Sequence, residues 1–148
     1  MTHCEGYRAA AVARATGAAS LGVDAEPHAP LPGDVLAVIA LPEERRALAA
    51  LAGTHPVLAW DRVLFSAKES VFKAWFPLTG RWLDFRDCLV DIDAAGGTFT
   101  GVFRVPGPWV SGRRVERVMG RWTARGRHVA TCVAIPVGGS TWPRTIPP

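Results

Sequence analysis

The chain keeps only two lysines, Lys68 and Lys73, which lie five residues apart and flank Glu69. All other basic residues among its 17 Lys and Arg are arginine. Unlike a guanidinium, an ammonium group is a compact charge that can release a proton. Two retained lysines beside a carboxylate therefore indicate proton or phosphate chemistry. The alternative is an ordinary helix pair between Glu69 and Lys73, worth about 0.2–0.5 kcal/mol.

A second candidate site is the pair of acids Asp24 and Glu26, within the segment 22–26. Because alternate residues of a strand point to the same face, the two carboxylates would lie side by side. Neighbouring like charges are unfavourable unless a cation joins them, and Mg²⁺ is commonly held by one or two carboxylates together with substrate phosphates. The pair predicts a magnesium site, and the alternative is two exposed acids at the end of a strand.

Both lysines belong to a predicted helix that runs from about Trp60 to Phe76 and stops at Pro77. Apolar residues recur along one face of this helix; they are Trp60, Leu64, Ala67, Val71 and Trp75. A polar stripe lies on roughly the opposite side; it consists of Arg62, Ser66, Glu69 and Lys73. An alternative places Glu69 in a capping box with Ser66, which would then start the helix.

The rest of the pattern predicts an α+β fold, with helices packed on an antiparallel sheet. The other predicted elements are a hairpin of residues 5–14 and 19–25, a helix over 42–52, and strands over 87–93, 98–105, 117–125 and 128–135. The last two strands are expected to pair across Gly126. Residues 1–136 form the predicted folded domain, and the Gly- and Pro-rich residues 137–148 are predicted to be a flexible tail.

Charge and cysteine usage narrow the class of protein. The net charge of +4 comes from dispersed arginines, which suits an anionic partner but includes no basic run or motif typical of nucleic-acid binding. The three cysteines have no CxxC spacing, so they predict neither a disulfide framework nor a zinc site. We find no secretory signal and no apolar run long enough to span a bilayer. These features predict a cytoplasmic protein that binds neither nucleic acid nor membrane.

Taken together, the motifs resemble those of the 4′-phosphopantetheinyl transferases. The segment Thr2-His3-Cys4 is followed by a match to G-[VI]-D-x-E at 22–26 and to [WF]-[STC]-x-K-E-[SA]-x-x-K at 65–73. The resemblance covers residues 1–136 and is strongest to the two-lobed bacterial type that serves siderophore, polyketide and nonribosomal peptide synthesis. Members of that type carry another lobe before the Thr-His-Cys segment. We therefore expect one lobe of this fold, with an exposed lobe interface that favours self-association.

The resemblance implies a reaction and a set of roles. The 4′-phosphopantetheine arm of coenzyme A would be transferred to a serine of an acyl or peptidyl carrier protein, releasing 3′,5′-ADP. Asp24 and Glu26 would bind Mg²⁺, with Glu69 as a third ligand or as the base that accepts the serine proton. Lys73 would contact the phosphates and stabilise the departing oxygen.

The resemblance also implies further contacts to coenzyme A. Lys68 would contact the phosphates, His3 and Thr2 would contact the nucleotide end, and Leu83 would line the path of the pantetheine arm. Asp24 would reach coenzyme A through the metal. The alternative function is a truncated protein that binds coenzyme A or a carrier protein without catalysing transfer.

Overall fold

The computed structural model describes residues 1–139. The strands are β1 (Thr2–Cys4), β2 (Tyr7–Ala9), β3 (Ala18–Pro27), β4 (Cys88–Asp93), β5 (Thr98–Phe103), β6 (Trp109–Val110), β7 (Arg113–Arg114), β8 (Arg117–Arg125) and β9 (His128–Pro136). The helices are α1 (Val35–Ile39), α2 (Pro42–Thr54) and α3 (Trp60–Thr79), with 3₁₀ turns at Phe85–Asp87 and Val137–Gly139. Most of the tail predicted at 137–148 lies outside the described residues.

A five-stranded antiparallel sheet, in the order β3-β9-β8-β5-β4, forms the framework. The chain alternates in direction through β8 and β9, which pair across Gly126 with Arg125 opposite His128 as the sequence predicts. The long helix α3 packs against β3 and β9. The predicted α+β fold, with helices packed on an antiparallel sheet, is confirmed. In the part of the chain that the structure describes, no helix is long and apolar enough to cross a bilayer.

The apolar face of α3 supplies much of the core. Every member of the predicted apolar stripe is buried, and Leu64 and Ala67 have no exposed surface. The side chains that complete this core come from the sheet; among them are Phe99, Val129, Val133 and Ile135. Burying such side chains stabilises the fold by about 1.5–3 kcal/mol each. The core therefore fixes the rotation of α3 and decides which of its side chains face β3.

Helix α3 lies at backbone contact with the sheet at Gly22 of β3. A Cβ atom at this position would lie 1.8 Å from the carbonyl oxygen of Ser70 and 2.8 Å from the backbone nitrogen of Ala74. Real Cβ atoms do not approach backbone atoms so closely, so only glycine fits here. Because Asp24 and Glu26 follow Gly22 at strand spacing, they point to the same face and toward α3.

Three expectations about α3 are wrong. The helix continues through Pro77 to Thr79, since the missing proline N–H removes only one hydrogen bond and Gly80 caps the end in a left-handed conformation (φ 61°). Ser66 is fully buried instead of lying on a polar stripe, and its hydroxyl lies 3.0 Å from that of Thr131 on β9. The capping-box alternative is also wrong, because the helix begins at Trp60.

The predicted hairpin of residues 5–14 and 19–25 is also wrong. β1 pairs with β2 around Gly6, which adopts a positive φ of 72°. β3 pairs instead with β9, in register from Ser20 opposite Ile135 to Pro27 opposite His128. The ten-residue β3 pairs with β9, which has nine residues. The predicted partner segment, residues 5–14, forms only the three-residue β2.

We predict that Gly22→Ala lowers the free energy of unfolding by about 1–3 kcal/mol or more, because α3 must move away from β3. The control is Gly53→Ala in α2, where a Cβ atom would meet nothing within 4 Å. That change should stabilise the protein by about 0.5–1 kcal/mol. Urea unfolding of both variants checks the prediction, and equal stability of the two would contradict it.

Candidate active site

Asp24 of β3 forms the centre of the candidate site. Its Oδ1 atom accepts a 2.6 Å hydrogen bond from the ammonium group of Lys73, and the hydroxyl of Thr2 lies 3.3 Å from the same oxygen. The Asp24 side chain is only 4% exposed, yet its other oxygen, Oδ2, is buried without a hydrogen-bond partner. A buried carboxylate oxygen without a partner is costly. This oxygen is therefore suited to a ligand that binds from outside the chain.

Glu26 is held in a similar way by the first turn of α3. Its Oε2 atom lies 3.0 Å from Nη1 of Arg62. Burial raises the pKa of Glu26 most, and the charge of Asp24 raises it further, whereas the guanidinium of Arg62 and, more weakly, the ammonium of Lys73 lower it. Each of the two acidic side chains of β3 thus has one oxygen paired with a cation from α3.

Glu69 is half-buried on α3, and the charges of both β3 acids reach it. Burial is the main reason that the pKa of Glu69 is raised, and the negative charges of Asp24 and, more weakly, Glu26 add to it. The charge of Lys73 acts in the opposite direction. The ammonium of Lys73 bonds Asp24, so the ordinary Glu69–Lys73 helix pair considered from the sequence does not form. The three acids therefore repel one another, which a bound cation would relieve.

The three acids do not form a ready-made metal site. Among residues 1–139, no group of three His, Cys, Asp or Glu side chains lies close enough together to hold a metal ion. The two acids of β3 are instead engaged in ion pairs with Lys73 and Arg62. Mg²⁺ usually takes only one or two protein carboxylates and completes its shell with waters and phosphate oxygens. The unpartnered oxygen of Asp24 and the all-oxygen donor set fit such an ion.

The resemblance predicts that Lys68 contacts the phosphates, but the structure instead buries its side chain beside Glu44. The Lys68 side chain is 2% exposed, and its ammonium group lies 2.9 Å from Oε1 of Glu44 and donates to the carbonyl groups of Phe85 and Cys88. These contacts use the three donors of the ammonium group. Successive helix residues differ in direction by about 100°, so Lys68 and Glu69 diverge although they are adjacent.

Glu44 completes this buried network. Its Oε1 and Oε2 atoms accept 2.7 Å hydrogen bonds from the backbone N–H groups of Val90 and Leu41, respectively. The side chain is 1% exposed. The Lys68–Glu44 pair thus joins α3 to α2 and β4, and it holds together the elements on the side of α3 that lies away from β3.

Thr2 and His3 have different surroundings on β1. Thr2 is buried; its hydroxyl accepts a 3.1 Å hydrogen bond from the backbone N–H of Ala25 and lies beside Asp24. His3 is exposed and borders open depressions of the β1–β2 hairpin. Thr2 is therefore placed to support Asp24, whereas the His3 side chain is open to solvent.

A cavity of about 150 Å³ lies beside Glu69. The lining residues are Lys68, Glu69, Phe72, Trp82, Leu83, Asp84, Phe85 and Cys88. Leu83 is buried, and the rings of Phe72 and Trp82 lie 4.8 Å apart. Burial raises the pKa of Cys88 to about 12, which keeps this thiol neutral. The cavity is thus lined mainly by apolar side chains, and the carboxylate of Glu69 lies on one side of it.

Comparison with known proteins identifies the family. The family model described as the 4′-phosphopantetheinyl transferase superfamily matches residues 20–132, which include the motifs at 22–26 and 65–73. The chain belongs to this superfamily. The resemblance drawn from the motifs is therefore confirmed.

Three curated 4′-phosphopantetheinyl transferases are similar to this superfamily member over nearly its whole length. Svp from Streptomyces mobaraensis is 56% identical over 95% of the chain and 57% of its own length. PptT from Mycobacterium tuberculosis is 44% identical over 91% of the chain and 60% of its own length. Npt from Nocardia iowensis is 42% identical over 90% of the chain and 63% of its own length. The chain thus spans 57–63% of the length of these relatives.

Sequence reasoning missed the buried Lys68–Glu44 pair and the contact of Arg62 with Glu26, and only Lys68 left a signal in the sequence. Lys68 lies four residues after Leu64 and three before Val71, so it belongs to the apolar stripe and needed a buried acid as partner. Glu44 is that acid, but nothing local distinguishes it from the exposed Glu43 beside it. Arg62 was placed on the polar stripe, but its contact with Glu26 depends on the pairing of α3 with β3.

We predict that Lys68→Met lowers the free energy of unfolding by about 3–5 kcal/mol, because the charge of Glu44 is left buried and unpaired. The double variant Lys68→Met/Glu44→Gln should recover part of this loss, since the amide carries no charge. Urea unfolding of both variants tests this. A loss below about 1 kcal/mol for Lys68→Met would show that its ammonium is not a buried structural charge.

Because the pKa of Glu69 is raised in the folded state, the free energy of unfolding should change with pH in a definite direction. A carboxyl group that holds its proton more tightly in the folded state loses stability as pH rises from its unfolded pKa, about 4.3, through its folded pKa. We therefore expect Glu69→Gln to be more stable than the wild type near pH 7, with a difference that shrinks toward about pH 4. Urea unfolding across this range checks it, with the exposed Glu43→Gln as control. A difference that does not change with pH would contradict this expectation.

Proposed function

We propose that the protein carrying this chain transfers the 4′-phosphopantetheine arm of coenzyme A to a serine of an acyl or peptidyl carrier protein and releases 3′,5′-ADP. The observation that carries the proposal is the state of Asp24, buried with Lys73 on one oxygen and no partner on the other. The charges of Glu26 and Glu69 also act at this site, and Lys73 adds a cation to it. This is the charge pattern expected where a metal ion and a pyrophosphate bind together.

Mg²⁺ is the proposed metal. Asp24 and Glu26 would hold it, with Glu69 as a possible third ligand, because oxygen donors suit this hard cation. When bound, Mg²⁺ supplies positive charge that neutralises the coenzyme A pyrophosphate. Burial raises the pKa values of Glu26 and Glu69 most, and the repulsion between the acids, which a cation would offset, raises them further and supports the assignment.

Glu69 is the proposed general base. Within the described residues it is the one acid of the three without an ion pair, which leaves its carboxylate able to accept a proton. Carboxylates are common general bases in enzymatic proton transfer. The serine hydroxyl gives its proton to Glu69 while its oxygen bonds to the β-phosphorus. The bond from that phosphorus to the oxygen of 3′,5′-ADP breaks.

Lys73 is the proposed partner of the leaving group. Its side chain is 31% exposed, so it can contact a phosphate oxygen while its ammonium group still bonds the buried Asp24. The negative charge that develops on the departing 3′,5′-ADP would then be stabilised by a fixed cation. This role agrees with the retention of lysine at position 73 in a chain whose other surface cations are arginine.

The rest of coenzyme A can be assigned to nearby surfaces. The narrow cavity between Leu83 and Glu69 suits the slender, uncharged pantetheine arm, and its apolar wall would exclude water. His3, at the exposed edge of β1, is the proposed contact of the nucleotide end. Thr2 would act through Asp24, whose orientation it supports.

The proposed carrier proteins are those of siderophore, polyketide or nonribosomal peptide synthesis, in the cytoplasm. The net charge of +4 suits an acidic partner. A second candidate function is binding of coenzyme A or a carrier protein without transfer. The ion pairs of Asp24 and Glu26 favour this second candidate, because Lys73 and Arg62 already neutralise part of the charge that would attract a metal.

Intact-mass measurement of an apo carrier protein incubated with the protein, coenzyme A and Mg²⁺ tests the proposal. We expect the carrier to gain one phosphopantetheine. Glu69→Gln and Lys73→Ala should each reduce the rate by about 10²–10⁴-fold, the usual contribution of a positioned acid or base. Glu69→Gln should affect stability far less than rate, whereas Lys73→Ala should also destabilise the fold, because it leaves the buried charge of Asp24 unpaired.

The matched control for Glu69→Gln is Glu43→Gln, which makes the same chemical change on the exposed surface of α2 and should retain full activity. Coenzyme A binding without modification of the carrier would favour the second candidate. Unchanged rates in Glu69→Gln would contradict the proposed base.

A further inference from the structure

Arg62 makes three hydrogen bonds that connect α3 to the end of β3. Its Nη1 atom donates to Oε2 of Glu26, and its Nε and Nη2 atoms donate to the carbonyl groups of Ala29 and Pro30, each at 3.0 Å. The side chain is 14% exposed. A guanidinium group is planar, so three simultaneous bonds fix both its position and its orientation.

The surrounding segment is held by other contacts as well. The carboxylate of Asp61 accepts a 2.7 Å hydrogen bond from the backbone N–H of Leu31, and Nε2 of His28 accepts one from that of Ala59. These contacts fasten residues 28–31 to the start of α3 without touching Glu26. The bond from Arg62 to Glu26 is therefore not needed merely to fasten this segment.

The two acids of β3 are held in the same manner. Lys73 bonds one oxygen of Asp24 and leaves Oδ2 without a partner, and Arg62 bonds Oε2 of Glu26. Helix α3 thus supplies one cation to each acid. Each cation reduces the repulsion between the two carboxylates and fixes which oxygen of each is left for an external ligand.

We infer that Arg62 is a positioning residue, which holds Oε2 of Glu26 so that Oε1 is presented to the divalent cation. The inference rests on the proposed function, because it assigns Arg62 to the metal ligands named there. Partners of metal-ligating carboxylates commonly affect metal affinity by about 10–100-fold. Arg62 would act on affinity for the ion and would not touch the reacting atoms.

Binding of Mn²⁺ to the 148-residue chain in the presence of coenzyme A, followed by electron paramagnetic resonance, tests this inference. We expect Arg62→Met to weaken Mn²⁺ affinity by about 10–100-fold. Arg62→Lys should fall between Arg62→Met and the wild type, because it keeps the charge but loses the three-bond geometry. Urea unfolding without metal measures what each change does to the fold alone.

Asp61→Asn is the matched control, since it weakens the fastening of residues 28–31 but leaves Glu26 untouched. It should lose stability and keep wild-type Mn²⁺ affinity. Equal loss of affinity in Asp61→Asn and Arg62→Met would overturn the inference, as would wild-type affinity in Arg62→Met. If the wild-type chain binds no more Mn²⁺ than Asp24→Asn, the proposed metal site fails, and the role of Arg62 fails with it.

Discussion

The close approach of α3 to β3 at Gly22 is the constraint on which the rest of the site depends. With the carbonyl of Ser70 occupying the place of a side chain, the helix and the strand lie at backbone contact. That contact lets the short side chain of Asp24 reach Lys73, and it brings Glu26 within reach of Arg62. The strand lies at the edge of the five-stranded sheet, and its two acids face α3.

The charges of α3 are organised into two kinds of site. On the side of α2 and β4, Lys68 and Glu44 satisfy one another completely within the core, together with the backbone groups they bond. A completed buried network rigidifies a structure and offers nothing to a ligand. On the side of β3, the pairing is incomplete, because Asp24 keeps an unpartnered oxygen. The first network holds α3 in place, and the second leaves one carboxylate oxygen of Asp24 able to bind a ligand.

Much of this arrangement could be predicted from the sequence. The acids at 24 and 26 and the charged helix were recognisable because strand and helix periodicities are local properties. The pairing of β8 with β9 followed from a glycine turn between two alternating segments. The inward direction of Lys68 could also be inferred from its place in the apolar stripe, although the identity of its partner could not, because Glu44 comes from a separate helix. Continuation of α3 through Pro77 and the pairing of β3 with β9 depended on tertiary contacts, which override local signals.

The unpartnered oxygen of Asp24 also has a consequence for how the molecule responds to its surroundings. Folding has already met the cost of burying this atom, so the free protein carries a local frustration that its own side chains do not relieve. A cation that reaches the atom encounters a carboxylate that needs little further reorganisation or desolvation. The desolvation cost of this oxygen is therefore already included in the free energy of folding. More of the interaction energy of a cation is then available for binding.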